Sequence, residues 1–460
     1  MPVDDDQPDR YWRRSLVICL LGSFTTIVAM TLLLPFLPLY VEQLGVTDHA
    51  EIAQWSGIAY GATFFAAALV APFWGRLADR YGRKIMLVRA SLGMAVAMSL
   101  IGMAHNVWEL VGLRLFAGLA GGYASGSTIL VATQTPRGRS GWALGVLASG
   151  IMAGNLVGPL IGGVLPPLIG IRGTFWMAGG LIFITFLATT FFLKEELRPS
   201  AASRAVSRAG WAAIPDKRPV IAMLVTGALL MIANMSIEPI ITLYVAQLVA
   251  AAKVTLISGI AMSAAALGSV LSASRLGRLA DRIGHTKVIT GALAMAAVLL
   301  IPQAYVTNEW QLVGLRFLMG VALGGLLPCI TSVIRHNVPE GGVGRALGLA
   351  TSTQYFGQVL GPVLGGFVGG QIGMRAVFLG TSVLMAGGAH GGRRPGVDED
   401  IVLFCVQRSV LVEIGGRARA TRPGAASGAA VADEMNGGDR AVLLCAEPQG
   451  FIGAGTIADG

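Results

Sequence analysis

Ionisable side chains are scarce in the long apolar stretches of this chain, so the few that stand there are the first candidates for chemistry. Glu238 is the only acid well inside such a stretch. A carboxyl group among apolar neighbours can hold its proton near neutral pH and release it when its surroundings change. Glu238 is therefore a candidate proton carrier; the alternative is a carboxylate solvated at the outer interface. Arg114 and Arg316 lie at similar depth, and each costs about 2.5–3.5 kcal/mol to insert. Arg316 is a candidate partner for Glu238. Arg89 lies near the end of its stretch, where a long side chain can reach the interface.

Two further patterns stand out. Gly75-Arg76-Leu77-Ala78-Asp79-Arg80-Tyr81-Gly82-Arg83-Lys84 sets one acid among four cations, and its two glycines permit a tight turn and close helix approach. It recurs around Asp281. Gly150, Gly154, Gly158 and Gly162 fall every four residues, hence on one helix face, beside Pro159 and Gly163. Such a smooth ridge lets another backbone approach closely. It reads as a seal between two bodies, with ordinary small-residue packing as the alternative.

Other chemistries find no footing. The four cysteines have no metal-ligand spacing and the five histidines are scattered. No Gly-x-x-x-x-Gly-Lys-Ser/Thr loop is present to cradle a nucleotide. No metal, cofactor or enzymatic activity is expected.

The elements that must position these residues are membrane helices. Of 460 residues, 54% are hydrophobic and only 13% charged, against roughly 25% charged in a soluble domain. Mean hydropathy is +0.68. Eleven stretches have the length of a membrane span, about 20 residues: 15–39, 52–74, 85–104, 107–132, 142–169, 174–193, 219–246, 254–274, 288–306, 310–334 and 344–370. A twelfth begins near 376 and fails near Gly387. With the N-terminus in the cytoplasm, the inner segments hold 21 Lys and Arg and the outer loops only Arg172, Lys253 and Arg375, as the positive-inside rule asks. This orientation accounts for the pI of 9.7 without nucleic acid.

The chain also repeats itself. GRLADRYGRK at 75–84 returns as GRLADRIGHTK at 277–287, and VGLRLFAGLAGG at 111–122 returns as VGLRFLMGVALGG at 313–325, each shifted by 202. WALGVLASGIMAGNLVGPLIGG at 142–163 returns at 345–366, shifted by 203. The expected organisation is an all-α membrane protein of two parallel six-helix halves, 1–193 and 219–387, joined by a cytoplasmic linker, 194–218, and followed by an aberrant tail, 388–460. Two parallel halves facing a central cavity form a transporter architecture with a midplane site. Phe24, Met30, Tyr40, Met231, Met235, Tyr244, Tyr355 and Phe356 are available to line an adaptable apolar cavity. The matched Pro35–Tyr40 and Pro239–Tyr244 segments are expected to break two helices beside it.

On these residues the chain resembles the major facilitator superfamily over 11 to about 387. The carriers are the 75–84 loop, Arg114 with Gly118, and Gly154-x-x-x-Gly158-Pro159-x-x-Gly162-Gly163. The nearest likeness is to its multidrug-resistance antiporters, carried by PFWGRLADRYGRK, SGWALG, PIITLYV, ISGIAMS, SASRLGRLADRIG and RAVFL. The resemblance implies a bacterial inner-membrane exporter of lipophilic compounds in exchange for protons. It places Asp79 against the eleventh helix as a conformational gate and links the 154–163 motif to export. Proton-coupled nutrient uptake remains an alternative, as does a chain that no longer transports. The partners expected are the bilayer, small lipophilic substrates and protons, with the chain acting as a monomer.

The tail departs from the repeat. The stretch 181–193 is LIFITFLATTFFL, but its register partner at 384–396 is LMAGGAHGGRRPG. A half-helix would leave backbone groups unsatisfied in lipid. A reading-frame shift near Gly387–His390 accounts for this, and it predicts that 391–460 packs poorly against the helices.

Overall fold

A computed structural model describes residues 11–194, 217–339 and 342–390, all within one unit, Met1–Ile414. The first half holds α1 (Trp12–Thr31), α2 (Leu37–Gln43), α3 (His49–Tyr81), α4 (Arg83–Ile101), α5 (Val107–Ala120), α6 (Tyr123–Gln134) and α7 (Ser140–Phe192). The second holds α8 (Arg218–Ala246), α9 (Val254–Ile283), α10 (His285–Gln303), α11 (Glu309–Leu323), α12 (Leu326–His336), α13 (Val343–Gln371) and α14 (Met374–His390). The tail and most of the linker, with the packing expected of 391–460, lie outside the described residues.

Among the described residues nine helical runs are long and apolar enough to cross a membrane. The longest, α7, has 53 residues and turns at Gly170 (φ 78°), so it supplies the fifth and sixth spans. With α13 these account for the eleven spans expected. The apolar part of α14 is only Met374–Ala389. Its 17 helical residues reach about 26 Å, short of a hydrocarbon core of about 30 Å. The helix does continue through Gly387 and Gly388 to His390, a little beyond the expected failure.

Helix ends follow local chemistry. At one end of the bundle, side-chain oxygens of Asp48, Asn106 and Asn308 accept from the first-turn amides of α3, α5 and α11, the usual service of an N-cap. At the other, basic end, Gly82 (φ 95°) and Gly284 (φ 101°) turn the chain from α3 into α4 and from α9 into α10, a conformation that glycine adopts without a Cβ clash. Outward faces are apolar: Leu69, Leu168 and Phe191 are 69%, 73% and 71% exposed. Patches of this kind belong in lipid rather than water.

Two expectations about helix breaks need correction. Pro35 and Pro239 do not break their helices alike. The first span is interrupted after Thr31 and passes through a short 3-10 turn, Leu34–Phe36, before α2. There Pro35 and Pro38 remove two backbone donors three residues apart. Pro239 removes one, and α8 runs unbroken through it. The fourth and tenth spans, expected to be continuous, break at Gly121–Gly122 and Gly324–Gly325. Paired glycines in equivalent positions carry no side chain to hold the turn.

Candidate functional site

The halves meet along two seams, α3 against α13 and α7 against α9. Both are built by close backbone approach at glycine. Gly57 faces the Pro362 carbonyl, Gly61 the Val359 carbonyl, and Gly366 and Gly370 face Ala53 and Ala50. On the other seam Gly259 faces the Pro159 carbonyl and Gly163 faces Thr255 and Leu256. Ser263 adds a hydrogen bond to the Leu156 carbonyl at 2.7 Å. The seams are related by the repeat: Gly57 with Gly259, Pro362 with Pro159, Gly366 with Gly163. They begin at the end opposite the basic loops. From Ala50 to Gly61 the first covers eleven residue steps, about 17 Å of helix. Towards the basic end, Gly75, Gly141, Gly145, Gly277 and Gly348 have open space where a Cβ would stand. The close glycine contacts between the halves are thus gathered at the end opposite the basic loops.

This geometry corrects the reading of the glycine ridge as a seal between halves. Gly150, Gly154, Gly158 and Gly162 pack against Leu20, Ile27, Thr31 and Leu32 of the first span, within their own half. Gly357, Gly361 and Gly365 do the same against α8. Within the 154–163 motif, the Leu156 and Pro159 carbonyls and Gly163 face the other half. The seam partners Gly57 and Gly259 were missed. Their signal is the tetrapeptide SGIA, present at 56–59 and again at 258–261.

The ionisable residues lie at the depth of the closed seams. Glu238 and Arg316 form an ion pair, Oε1 to Nη2 at 3.4 Å, with side chains 14% and 2% exposed. The other carboxylate oxygen, Oε2, is buried without a hydrogen-bond partner among the described residues. Arg114 occupies the register position of Arg316 but has no carboxylate beside it among the described residues. Its Nε donates to the Ala59 carbonyl at 3.2 Å and its guanidinium lies 5.8 Å from the Tyr60 ring centre. Desolvation makes a buried ion pair costly to assemble and costlier to break.

The loop residues are placed as follows. Gly75, Arg80 and Gly82 sit at the basic end of α3 and its turn, with Arg80 over the Tyr81 ring at 5.3 Å; Arg83 and Lys84 open α4. Asp79 falls in α3, but its side chain lies outside the described residues. Asp281 is paired locally with His285 at 3.6 Å and is 72% exposed.

The expected cavity residues divide into two groups. Phe24, Met30, Met235 and Tyr355 are half-buried and Phe356 is exposed; Met231 is buried, against Gly357. Tyr40 and Tyr244 are not cavity residues. The Tyr40 hydroxyl donates to the Ile101 carbonyl and its ring meets Phe175 at 5.3 Å. The Tyr244 hydroxyl donates to the Gln303 carbonyl at 3.0 Å and its ring meets Phe378 at 5.0 Å. Each tyrosine ties its helix to a carbonyl in the last turn of another helix, where intrahelical donors run out. Pro35 and Pro239 are likewise buried. These four belong to matched packing cores at the closed end.

Among the described residues no group of three or more His, Cys, Asp and Glu is arranged to hold a metal ion.

Comparison with known proteins agrees with this architecture. The chain is 43% identical over 376 residues to the multidrug resistance protein MdtG of Enterobacter lignolyticus (strain SCF1), covering 81% of this chain and 90% of that protein. It is equally similar over 373 residues to MdtG of Salmonella typhimurium (strain LT2), covering 81% and 92%. Among solved structures, an inward-facing, unoccupied bacterial homologue of the human lysosomal transporter Spinster superposes with a TM-score of 0.69 at 13% identity, covering 88% of this chain and 99% of that one. The human organic anion transporter MFSD10 superposes with 0.62 at 18% identity, covering 84% and 100%. The family profile matches in two overlapping stretches, residues 19–258 and 223–390, which together cover both halves. With two pseudo-symmetric halves, a glycine seam at one end and a buried ion pair beneath it, the chain belongs to the Major Facilitator Superfamily and is a multi-pass membrane transporter.

Proposed function

We propose that the protein exports lipophilic compounds in exchange for protons, opening the two ends of the bundle in turn. The observation that carries this reading is the Glu238–Arg316 pair, buried at the depth of the seams. Protonation of Glu238 removes the charge that answers Arg316, and the carboxyl is then free to turn elsewhere. A change of partner at that depth alters the packing on which the closed end depends. Proton binding and seam closure are thereby coupled. Export rather than uptake is supported by the 154–163 motif and by the multidrug resistance relatives. The basic end faces the cytoplasm, where Lys and Arg are retained. On this reading the cytoplasmic end opens while the seams are closed, and Phe356 with the half-buried Phe24, Met30, Met235 and Tyr355 offers apolar contact to a substrate. Gly75, Asp79, Arg80, Gly82, Arg83 and Lys84, with Asp281 in the second half, form the gate that closes that end. Arg114 serves as the second cation of the coupling cluster.

The test is Glu238→Gln in proteoliposomes. Drug-induced proton movement is expected to vanish while drug binding survives. Unchanged, pH-dependent antiport in this variant would remove Glu238 from the mechanism.

A further inference from the structure

The fourth and tenth spans break at the same register, yet the two breaks are held differently. At the first, Arg89 reaches from α4 across the end of α5. Its Nη1 donates to the Leu119 carbonyl at 3.1 Å and its Nη2 to the Gly121 carbonyl at 3.0 Å. Trp74, from α3, donates Nε1–H to the same Leu119 carbonyl at 2.9 Å. The Arg89 guanidinium lies 3.7 Å from the centre of the Trp74 ring, so cation–π attraction joins the two donors. Arg89 was expected to reach the membrane interface; it caps a broken helix instead. The last carbonyls of a helix lack intrahelical donors and carry the negative end of its dipole, which a guanidinium answers on both counts. Gly122 then takes φ 107°, a left-handed turn that fixes the direction in which α6 leaves.

The second break has none of this. Gly324 and Gly325 both stay in the right-handed helical region, at φ −60° and φ −101°. Leu276 stands at the register position of Trp74 and meets Gly325 through carbon atoms. Arg89 corresponds to Gly291 or Ala292, neither of which has a side-chain donor. Among the described residues no side chain donates to the carbonyls of Leu323, Gly324 or Gly325. Pro328 lies four residues beyond Gly324 and has no N–H to offer its carbonyl. The first break is clamped by two side chains from two helices; near the second, Ser269 of α9 donates to the Gly320 carbonyl at 3.1 Å, one turn before the break, and Gly324–Gly325 itself is held by packing.

We propose that Arg89 and Trp74 pin the first hinge and leave bending at the basic end to the second, at Gly324–Gly325. Arg89 is on this account a positioning residue, remote from substrate and proton. The functional consequence rests on the alternating-access reading above, but the pinning itself is measured without substrate or gradient, so a protein that transports nothing would still report on its hinges.

Hydrogen–deuterium exchange of the full chain in lipid nanodiscs compares peptides over 119–126 and 322–329. In the wild type the second is expected to exchange faster. Arg89→Ala should speed exchange at the first by about tenfold and leave the second unchanged. Arg89→Lys keeps the charge but loses the two-pronged contact and should fall between. Trp74→Phe keeps a ring beneath Arg89 and removes one hydrogen bond, giving about a threefold rise; it decides the matter if Arg89→Ala does not accumulate. Equal or faster exchange at the first hinge in the wild type, or no rise in these variants, overturns the proposal.

Discussion

A methyl group at Gly57 or Gly259 would overlap a proline carbonyl oxygen of the opposite half. A backbone oxygen cannot rotate away as a side chain can, so the seam must part or the helices must shift. Overpacking of this kind costs about 1–3 kcal/mol per site. The two sites are on separate seams with no shared partner, so their costs should add to about 2–6 kcal/mol. At about 1.4 kcal/mol per factor of ten, Gly57→Ala with Gly259→Ala should shift the balance between closed and parted seams by between about thirtyfold and about 20,000-fold. Folding of the individual helices is not at risk, because alanine favours a helix over glycine by about 1 kcal/mol. Spin-label pairs at His49 and Gln371, and at Leu168 and Lys253, flank the two seams on exposed positions. Both distances should lengthen in the double variant. Unchanged distance distributions at both seams would refute the claim that glycine contacts hold this end closed.

Tyr40→Phe and Tyr244→Phe each remove one hydrogen bond to a carbonyl of another helix and should each lower stability by about 1 kcal/mol. Chemical denaturation reads the loss, and an altered drug spectrum in either variant would restore these tyrosines to the cavity. Asp79→Asn should reduce transport without reducing the amount of protein in the membrane, since a gating contact biases a conformational balance; full activity would show that the acid is only part of the charge bias. The family match stops at residue 390 and the apolar part of α14 stops at Ala389. If the reading frame shifts there, the gene read in another frame from about codon 388 should encode an apolar helix followed by a short basic tail. Absence of such a helix from both alternative frames would sink that account.

Membrane spans and the two-fold repeat were legible in the sequence because both are one-dimensional. Apolar length decides what can cross a bilayer, and a constant offset between GRLADRYGRK and GRLADRIGHTK needs no coordinates to establish homologous halves. The Glu238–Arg316 pair could be suggested in the same way, since charge at matched depth is also read along the chain. Breaks were less visible. Pro239 and Pro35 look alike in sequence, and only the second proline at Pro38 separates a broken helix from an intact one.

Which way each helix faces was decided by the tertiary structure. A span that is apolar all round presents no polar stripe to mark its buried side, so the ridge of Gly150, Gly154, Gly158 and Gly162 could be placed on one face without saying whether α1 or the opposite half would fill it. The same ambiguity put Tyr40 and Tyr244 in the cavity when their hydroxyls belong to the carbonyls of Ile101 and Gln303. It also hid Gly57 and Gly259, whose work depends on a backbone about 300 and 100 residues away in the chain. Which end is closed is likewise absent from the sequence, because one set of residues must serve both closed and open states. The structure resolves it through the short backbone contacts at Pro159 and Pro362, which exist only when the halves have already met.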